Sequence, residues 1–131
     1  MERRKLPNTR NSIVHKVAIN GHKFYIIVGL FEDGTPGELF IITAKEGSTI
    51  RGLLDTVGIL TSMALQSGVE LETLVRKLKG TMFEPMGFCT NKEQQNASSC
   101  IDYIFTWLGR QFCEGFEEEY QKLVNMQTEK K

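Results

Sequence analysis

The sequence predicts an α+β fold: a three-stranded antiparallel meander packed against a long helix and two to three further helices. Two observations lead to this prediction. Segments rich in β-branched and aromatic residues, separated by tight-turn dipeptides, fill the first third of the chain. The apolar residues then change to helical spacing. Strands followed by helices place the helices on one face of the sheet. Because an open sheet face and its edges invite pairing, we expect homo-oligomerisation to cover them.

Three strands are predicted in the first third of the chain, over residues 12–19, 23–31 and 38–44. Between the first two lies Asn20-Gly21, the strongest short hairpin signal, because both central residues of a type I′ turn need positive φ. A second turn, rich in Gly and Pro, separates the second strand from the third.

A long helix is predicted over residues 49–66, and Gly68 ends it. Gly52 and Gly58 lie inside this helix, where each costs about 1 kcal/mol relative to Ala. We therefore expect another backbone to approach the helix there, with a second subunit as one candidate. The apolar residues at helical spacing are Ile50, Leu53, Leu54, Val57, Leu60, Ala64 and Leu65.

The rest of the chain alternates helices with one long loop. Residues 70–79 form a second helix, and residues 81–95 form a loop of a length that is usually functional or mobile. Asn96 or Ser98 is expected to cap a third helix, and residues 116–126 to extend a last one. The chain is thus divided into an extended basic arm (1–11), an α+β domain (12–112) and a C-terminal helical tail (113–131).

Composition excludes several classes of function. A chain of 131 residues suits one domain with its own core. Its 16 basic and 16 acidic side chains cancel, which disfavours a binder of duplex nucleic acid. The acidic run at 117–119 is expected to be a solvated helix face. There is no apolar run of membrane-spanning length and no signal-peptide pattern, so we expect no membrane contact and a cytoplasmic location.

No residue pattern indicates a catalytic site, a metal or a cofactor. Cys89, Cys100 and Cys113 are widely spaced and form no CxxC pair, so we expect partly buried thiols in a reducing cytosol. His15 and His22 flank the predicted hairpin turn, roughly opposite each other. They are expected to be solvated or paired across the strands, with a shared ligand as the alternative.

One candidate anion site precedes the long helix. The segment KEGST offers Lys45, the hydroxyls of Ser48 and Thr49, and the unpaired N–H groups of a helix start. Arg51 lies in the first turn, where a cation opposes the helix dipole unless an anion is bound there. The alternative is ordinary capping with a solvated Arg51.

A second candidate is the loop FEPMGF and the residues after it. Phe83 on a loop can stack on a nucleobase, Asn91 can bond a base or ribose edge, and Arg110 can reach a phosphate. The alternatives are that Phe83 and Phe88 fill the core and that Arg110 favours the helix dipole. Tyr103 and Trp107, on the third helix, are expected in the core, with a ligand platform as the alternative.

The motifs already described carry a resemblance. Residues 4–112 resemble the TSCPD domain of adenosylcobalamin-dependent (class II) ribonucleotide reductases. The resemblance is carried by the stretches RKLPNTRNSIVHKVAINGHKFYIIVGLFEDGTPGELFI, AKEGSTIRGLLD, ALQSGVELETLVRKLKGTMFEPMGF and DYIFTWLGRQF. This sequence carries neither the catalytic barrel of those enzymes nor their cysteine-rich tail. The reductase activity is therefore not expected here.

In size the chain is also similar to the first type of phage anti-Thoeris proteins. That resemblance implies a non-catalytic homodimer or hexamer that binds cyclic ADP-ribose signals, and in some members cyclic oligonucleotides, at subunit interfaces. It places Phe83, Asn91, Arg51 and Arg110 at the ligand, with Asn96 as a rival to Asn91. The alternative is an accessory subunit of a split adenosylcobalamin-dependent reductase.

Overall fold

The computed structural model describes residues 3–43 and 47–129 and has the predicted α+β fold. The first three strands form one antiparallel sheet in the order β1-β2-β3, and a short two-stranded ladder lies later in the chain. The elements are β1 (Ser12–Ile19), β2 (His22–Leu30), β3 (Pro36–Ile42), α1 (Ser48–Gln66), α2 (Leu71–Leu78), β4 (Gly87–Phe88), β5 (Asn96–Ala97), α3 (Cys100–Phe112) and α4 (Phe116–Glu129).

The hairpin between β1 and β2 turns at Asn20-Gly21 as predicted, with φ of 47° and 85°. This two-residue turn fixes the register of the whole pair. His15 lies opposite Ile26 and His22 opposite Ile19. The expectation that the two histidines face each other is therefore wrong, because they stand at different distances from the turn.

The core lies between one face of the sheet and α3. Alternate residues of the strands point to this face, as expected of a sheet with one buried side. Tyr103 and Trp107 of α3 are buried, which confirms their predicted place in the core. The buried sheet residues are Val17, Ile19, Phe24, Ile26, Val28, Leu39 and Ile41, and those of α3 include Ile104, Phe105 and Leu108.

Helix α1 lies along the outer edge of β3. A Cβ atom at Gly58 would stand 2.8 Å from the carbonyl oxygen of Leu39, so the close approach predicted at this glycine is made by the same chain. The Ser62 hydroxyl accepts a hydrogen bond from the Leu39 N–H (2.9 Å), and the Gln66 amide donates one to the Gly37 carbonyl (3.0 Å). The helix thus satisfies edge groups of β3 that a second subunit was expected to cover.

The apolar face predicted for α1 is wider than the face that is buried. Leu54 and Leu65 are buried, whereas Leu53 and Leu60 are each 61% exposed. A Cβ atom at Gly52 would meet nothing within 4 Å, so no other described part of the chain approaches the helix there. Leu53 and Leu60 belong to an exposed apolar stripe on α1.

The segment between α2 and α3 is not a plain loop. Gly87 and Phe88 form β4, which pairs with β5. Thr90 also bonds the edge of β1, because its N–H donates to the Ala18 carbonyl (3.0 Å) and its hydroxyl accepts from the Ala18 N–H (2.9 Å). The cap of α3 is Ser99, whose hydroxyl accepts from the Asp102 N–H. Neither Asn96 nor Ser98 caps it, because β5 keeps the chain extended up to this point.

Ion pairs hold both ends of the chain on the domain. In the arm, Arg4 pairs with Asp33 (3.0 Å) and Arg10 with Glu38. The acidic start of α4 was expected to be a solvated face, but two of its carboxylates are paired. Glu117 binds Arg110 of α3, and Glu119 binds Arg76 of α2 (3.0 Å). Opposite charges on different elements therefore hold the tail on the helices.

Candidate functional site

The segment 81–98 exposes its aromatic side chains. Phe83 is 42% exposed and Phe88 is 66% exposed, so the alternative that both rings fill the core is wrong. The backbone around them is held, since the Phe83 N–H donates to the Ser98 carbonyl (3.0 Å) and the Cys89 N–H to the Gln95 carbonyl (2.7 Å). A fixed backbone with an accessible ring is the geometry that base stacking requires.

The Asn91 side chain is half-buried and has a fixed orientation. Its Nδ2 donates to the Tyr103 hydroxyl (3.0 Å), and its Oδ1 accepts from the Glu93 N–H (3.1 Å). An amide has two N–H donors and two acceptor lone pairs. The structure therefore leaves Asn91 one donor and one acceptor beyond these two bonds.

Behind Asn91, the Tyr103 hydroxyl also contacts His15. The hydroxyl lies 2.8 Å from His15 Nε2, and the His15 ring stacks on Trp107 with 4.7 Å between ring centroids. Burial raises the pKa of Tyr103 to about 12, so its hydroxyl stays protonated. Burial also lowers the pKa of His15.

Arg110 is engaged inside the molecule. Its side chain is 8% exposed and makes two bonds to the Glu117 carboxylate (2.6 and 2.8 Å). It donates a third bond to the Glu93 carbonyl (2.6 Å) and lies over the Tyr120 ring, 4.1 Å from its centroid. The guanidinium lowers the pKa of Glu117 to about 2. A phosphate that binds Arg110 must therefore share it with Glu117.

At the start of α1, Ser48 and Arg51 line a shallow pocket of about 410 Å³ together with Thr43 and Asp55. Arg51 is exposed, and so is Thr49. Gly47 is the N-cap residue, and neither hydroxyl occupies that position. Lys45 lies outside the described residues.

The predicted residues form two groups within one chain. Asn91 and Arg110 meet through Glu93, since one contacts its N–H and the other its carbonyl. Phe83 lies on the same segment, and Asn96 is exposed and pairs with Phe88 in the ladder. The second group is Ser48, Thr49 and Arg51, and no residue of the segment 81–98 lines its pocket.

Sequence reasoning missed the side chains that organise the first group. These are Tyr103, for which the sequence favours a place in the core over a ligand platform, and Glu93, which no pattern singles out. A tyrosine beside a histidine and an asparagine gives a signal only once the strands and α3 are placed together. Arg110 and Glu117 do offer a local signal. They carry opposite charges and lie on either side of the turn between α3 and α4, and this arrangement predicts an ion pair between the two helices.

The three cysteines and the described acidic side chains form no metal site. No disulfide joins the three cysteines, and burial raises the pKa of Cys89 to about 11, which keeps it a thiol. Within residues 3–43 and 47–129, no three His, Cys, Asp or Glu side chains come together as a metal site would need. No helix in that same part of the chain has both the length and the apolar character for crossing a membrane.

The TSCPD domain family matches residues 2–112, which is most of the chain. The chain belongs to the TSCPD family. This match confirms the resemblance drawn from the sequence motifs and ends where α3 ends, so α4 lies outside it.

The similar curated proteins are vitamin B12-dependent ribonucleotide reductases. The one from Rhodopirellula baltica is 52% identical over 113 residues, which is 86% of this chain and 11% of the relative. The one from Agrobacterium fabrum is 41% identical (83% of this chain, 9% of the relative), and that from Streptantibioticus cattleyicolor is 36% identical (84% and 18%). The chain thus spans roughly a tenth to a fifth of these reductases. No solved structure matches it significantly.

Proposed function

We propose that this protein binds cyclic nucleotide signals and sequesters them without cleaving them, as its resemblance to the anti-Thoeris proteins implies. The ligands would be cyclic ADP-ribose isomers, with cyclic oligonucleotides as a further class, and the setting the cytoplasm of a phage-infected bacterium. The observation that carries the proposal is Asn91, whose amide is held in one orientation with a donor and an acceptor left over. Such an amide suits the donor–acceptor edge of a nucleobase.

Two neighbouring features support this ligand class. The exposed ring of Phe83 offers stacking, which contributes about 1–3 kcal/mol per base. Arg110 provides a guanidinium whose charge Glu117 now balances, and a diphosphate can compete for it. A base, its edge and a phosphate would thus each have a partner in this part of the chain.

We further propose that copies of the chain associate, because the two groups of site residues lie apart in one copy. The surface offered for this contact is apolar. The exposed apolar residues are Val14, Tyr25, Phe40 and Ile42 on the outer sheet face, and Leu53, Ile59, Leu60 and Met63 on α1. Light scattering after size exclusion measures the oligomeric state directly.

The sponge proposal is tested by recovery of ligand. The protein is incubated with cyclic ADP-ribose isomers, separated from unbound ligand and denatured by heat, and the released ligand is analysed by mass spectrometry. Intact ligand in stoichiometric amount supports sequestration. Hydrolysed ligand overturns it in favour of an enzyme, and absence of any bound ligand overturns the assignment of the ligand.

Phe83→Ala locates the site, and Phe88→Ala is its matched control, because both rings are exposed on the same segment. Loss of one stacked base predicts an affinity about 5- to 150-fold weaker for Phe83→Ala. Phe88→Ala should bind like the parent protein. Equal affinities for both variants would contradict the placement of the base on Phe83.

A second candidate is an accessory subunit of an adenosylcobalamin-dependent ribonucleotide reductase. The observation that favours it is the 52% identity to the reductase from Rhodopirellula baltica. Co-purification with a cobalamin-dependent catalytic chain, together with a change in its reductase rate, would support this role. Recovery of a cyclic nucleotide from the same preparation would favour sequestration instead.

A further inference from the structure

A continuous set of contacts connects strand β1 to the candidate ligand site. His15 Nε2 lies 2.8 Å from the Tyr103 hydroxyl, and that hydroxyl lies 3.0 Å from Asn91 Nδ2. Asn91 Oδ1 is held in turn by the Glu93 N–H. We propose that Tyr103 and His15 are positioning residues that orient the Asn91 amide for its ligand, and that protonation of His15 disrupts this orientation. The ligand part of this inference rests on the function proposed above.

One arrangement of protons satisfies these contacts. Asn91 Nδ2 can only donate, so the Tyr103 oxygen accepts from it. The single proton of Tyr103 is then directed at His15 Nε2, which must be unprotonated to accept it. His15 is therefore the neutral tautomer with its proton on Nδ1.

The surroundings of His15 favour this neutral form. Its ring is half-buried and stacks on Trp107 at an angle of 12°, and Ile26 stands opposite on β2. The titratable group that contacts it from α3 is Tyr103 itself. Burial lowers the pKa of His15, so the contacts are complete at neutral pH.

The titratable groups around the Tyr103 hydroxyl are also defined. Cys89 on the chain after β4, Arg110 of α3 and Tyr120 of α4 act on the pKa of Tyr103. All three keep one charge state between pH 5 and 8, because burial raises the pKa of both Cys89 and Tyr120 and Arg110 stays cationic. Among the described groups that surround this hydroxyl, His15 is the one whose side chain gains a proton as the pH falls below neutral, and burial lowers its pKa.

Protonation of His15 removes the acceptor of the Tyr103 proton. Nε2 then carries a hydrogen that points at the hydroxyl, whose own proton has to turn away. Asn91 Nδ2 and His15 Nε2 would then both be donors to one oxygen. The Asn91 amide is no longer fixed by an acceptor with a defined direction, and we expect ligand affinity to fall by up to about tenfold per pH unit below the His15 pKa.

The first test needs no ligand. In an NMR titration from pH 7.5 to 5, the side-chain amide signals of Asn91 should move with the midpoint of the His15 ring signals. Tyr103→Phe removes the hydroxyl and should abolish this coupling while the His15 signals still titrate. If the Asn91 amide signals of the parent protein do not shift at the pH where the His15 ring signals titrate, the positioning role is overturned.

The second test measures the affinity for cyclic ADP-ribose against pH. His15→Gln replaces Nε2 by an acceptor that cannot titrate, so we expect parental affinity at pH 7.5 and a flat profile. His22→Gln is the matched control, since that histidine lies on β2 across the hairpin and should leave the pH dependence intact. A pH profile that survives in His15→Gln would refute the inference.

The two tests distinguish the two proposals. If no cyclic nucleotide binds at any pH but the Asn91 signals follow His15, the proposed ligand is wrong and the positioning contacts stand. If the ligand binds with an affinity that Tyr103→Phe leaves unchanged in a folded protein, the positioning role is wrong and the sponge proposal stands. Circular dichroism melts establish that the variant is folded.

Discussion

The two glycines of α1 offer a matched test of how tightly this helix lies against β3. Gly52→Ala places a methyl group where no described atom outside the backbone of its own helix lies within 4 Å. Ala is favoured over Gly in a helix interior by about 1 kcal/mol, so Gly52→Ala should stabilise the protein by about that amount. Gly58→Ala gains the same helical preference but meets the Leu39 carbonyl oxygen at 2.8 Å.

A backbone oxygen at that distance cannot rotate away, so the helix or the strand has to move. Overpacking of this kind costs roughly 1–3 kcal/mol. The displacement also weakens the 2.9 Å bond between Ser62 and Leu39, which contributes about 1 kcal/mol. After the gain in helix preference, Gly58→Ala should be about 1–3 kcal/mol less stable than the parent, and thus about 2–4 kcal/mol below Gly52→Ala.

Urea unfolding followed by circular dichroism measures this difference. Both variants are compared at one protein concentration, because association would shift the midpoints. The slope of the free energy of unfolding against urea should stay constant, since the surface exposed on unfolding hardly changes. Equal midpoints, or a higher midpoint for Gly58→Ala, would refute the close packing of α1 on β3.

Three further predictions concern single side chains. The pKa of Glu117 is lowered to about 2, so its ion pair with Arg110 stabilises the fold above the ordinary carboxyl pKa and is lost as the pH falls towards 2. Glu117→Gln should therefore lower the urea midpoint at pH 7 but not at pH 2. Phe83→Ala should change the free energy of unfolding by less than about 0.5 kcal/mol, as thermal melts would show, because the ring is exposed. Cys113, which is half-buried, should react with a thiol reagent at pH 8 before the buried Cys89 and Cys100, as mass spectrometry of timed samples would reveal.

The parts of the fold that depend on local sequence are predictable. Asn20-Gly21 specifies its own turn geometry, and the strands beside it follow from their composition. The long α1 follows from apolar spacing, which overestimates only the extent of its buried face. The cap of α3 lies one residue beyond the predicted Ser98, because pairing between β4 and β5 decides where the helix can begin.

The arrangement of the site cannot be predicted in the same way. Asn91 and Arg110 are each identified by chemical type, but their partners come from elsewhere in the chain. His15 and Tyr103 are 88 residues apart, and Arg76 and Glu119 are 43 residues apart. Contacts between residues so far apart in the chain depend on how β1, α3 and α4 pack together. The spacing of residues within one segment carries no information about that packing.

The position of α1 also limits how this protein can grow into larger assemblies. The helix occupies the place beside β3 where a fourth strand would lie, and it already bonds the backbone of Gly37 and Leu39. A second copy cannot continue the sheet across this side, since its strand would have to displace a helix of 19 residues. On this side of the sheet, a contact between copies would have to be made by side chains and not by strand pairing.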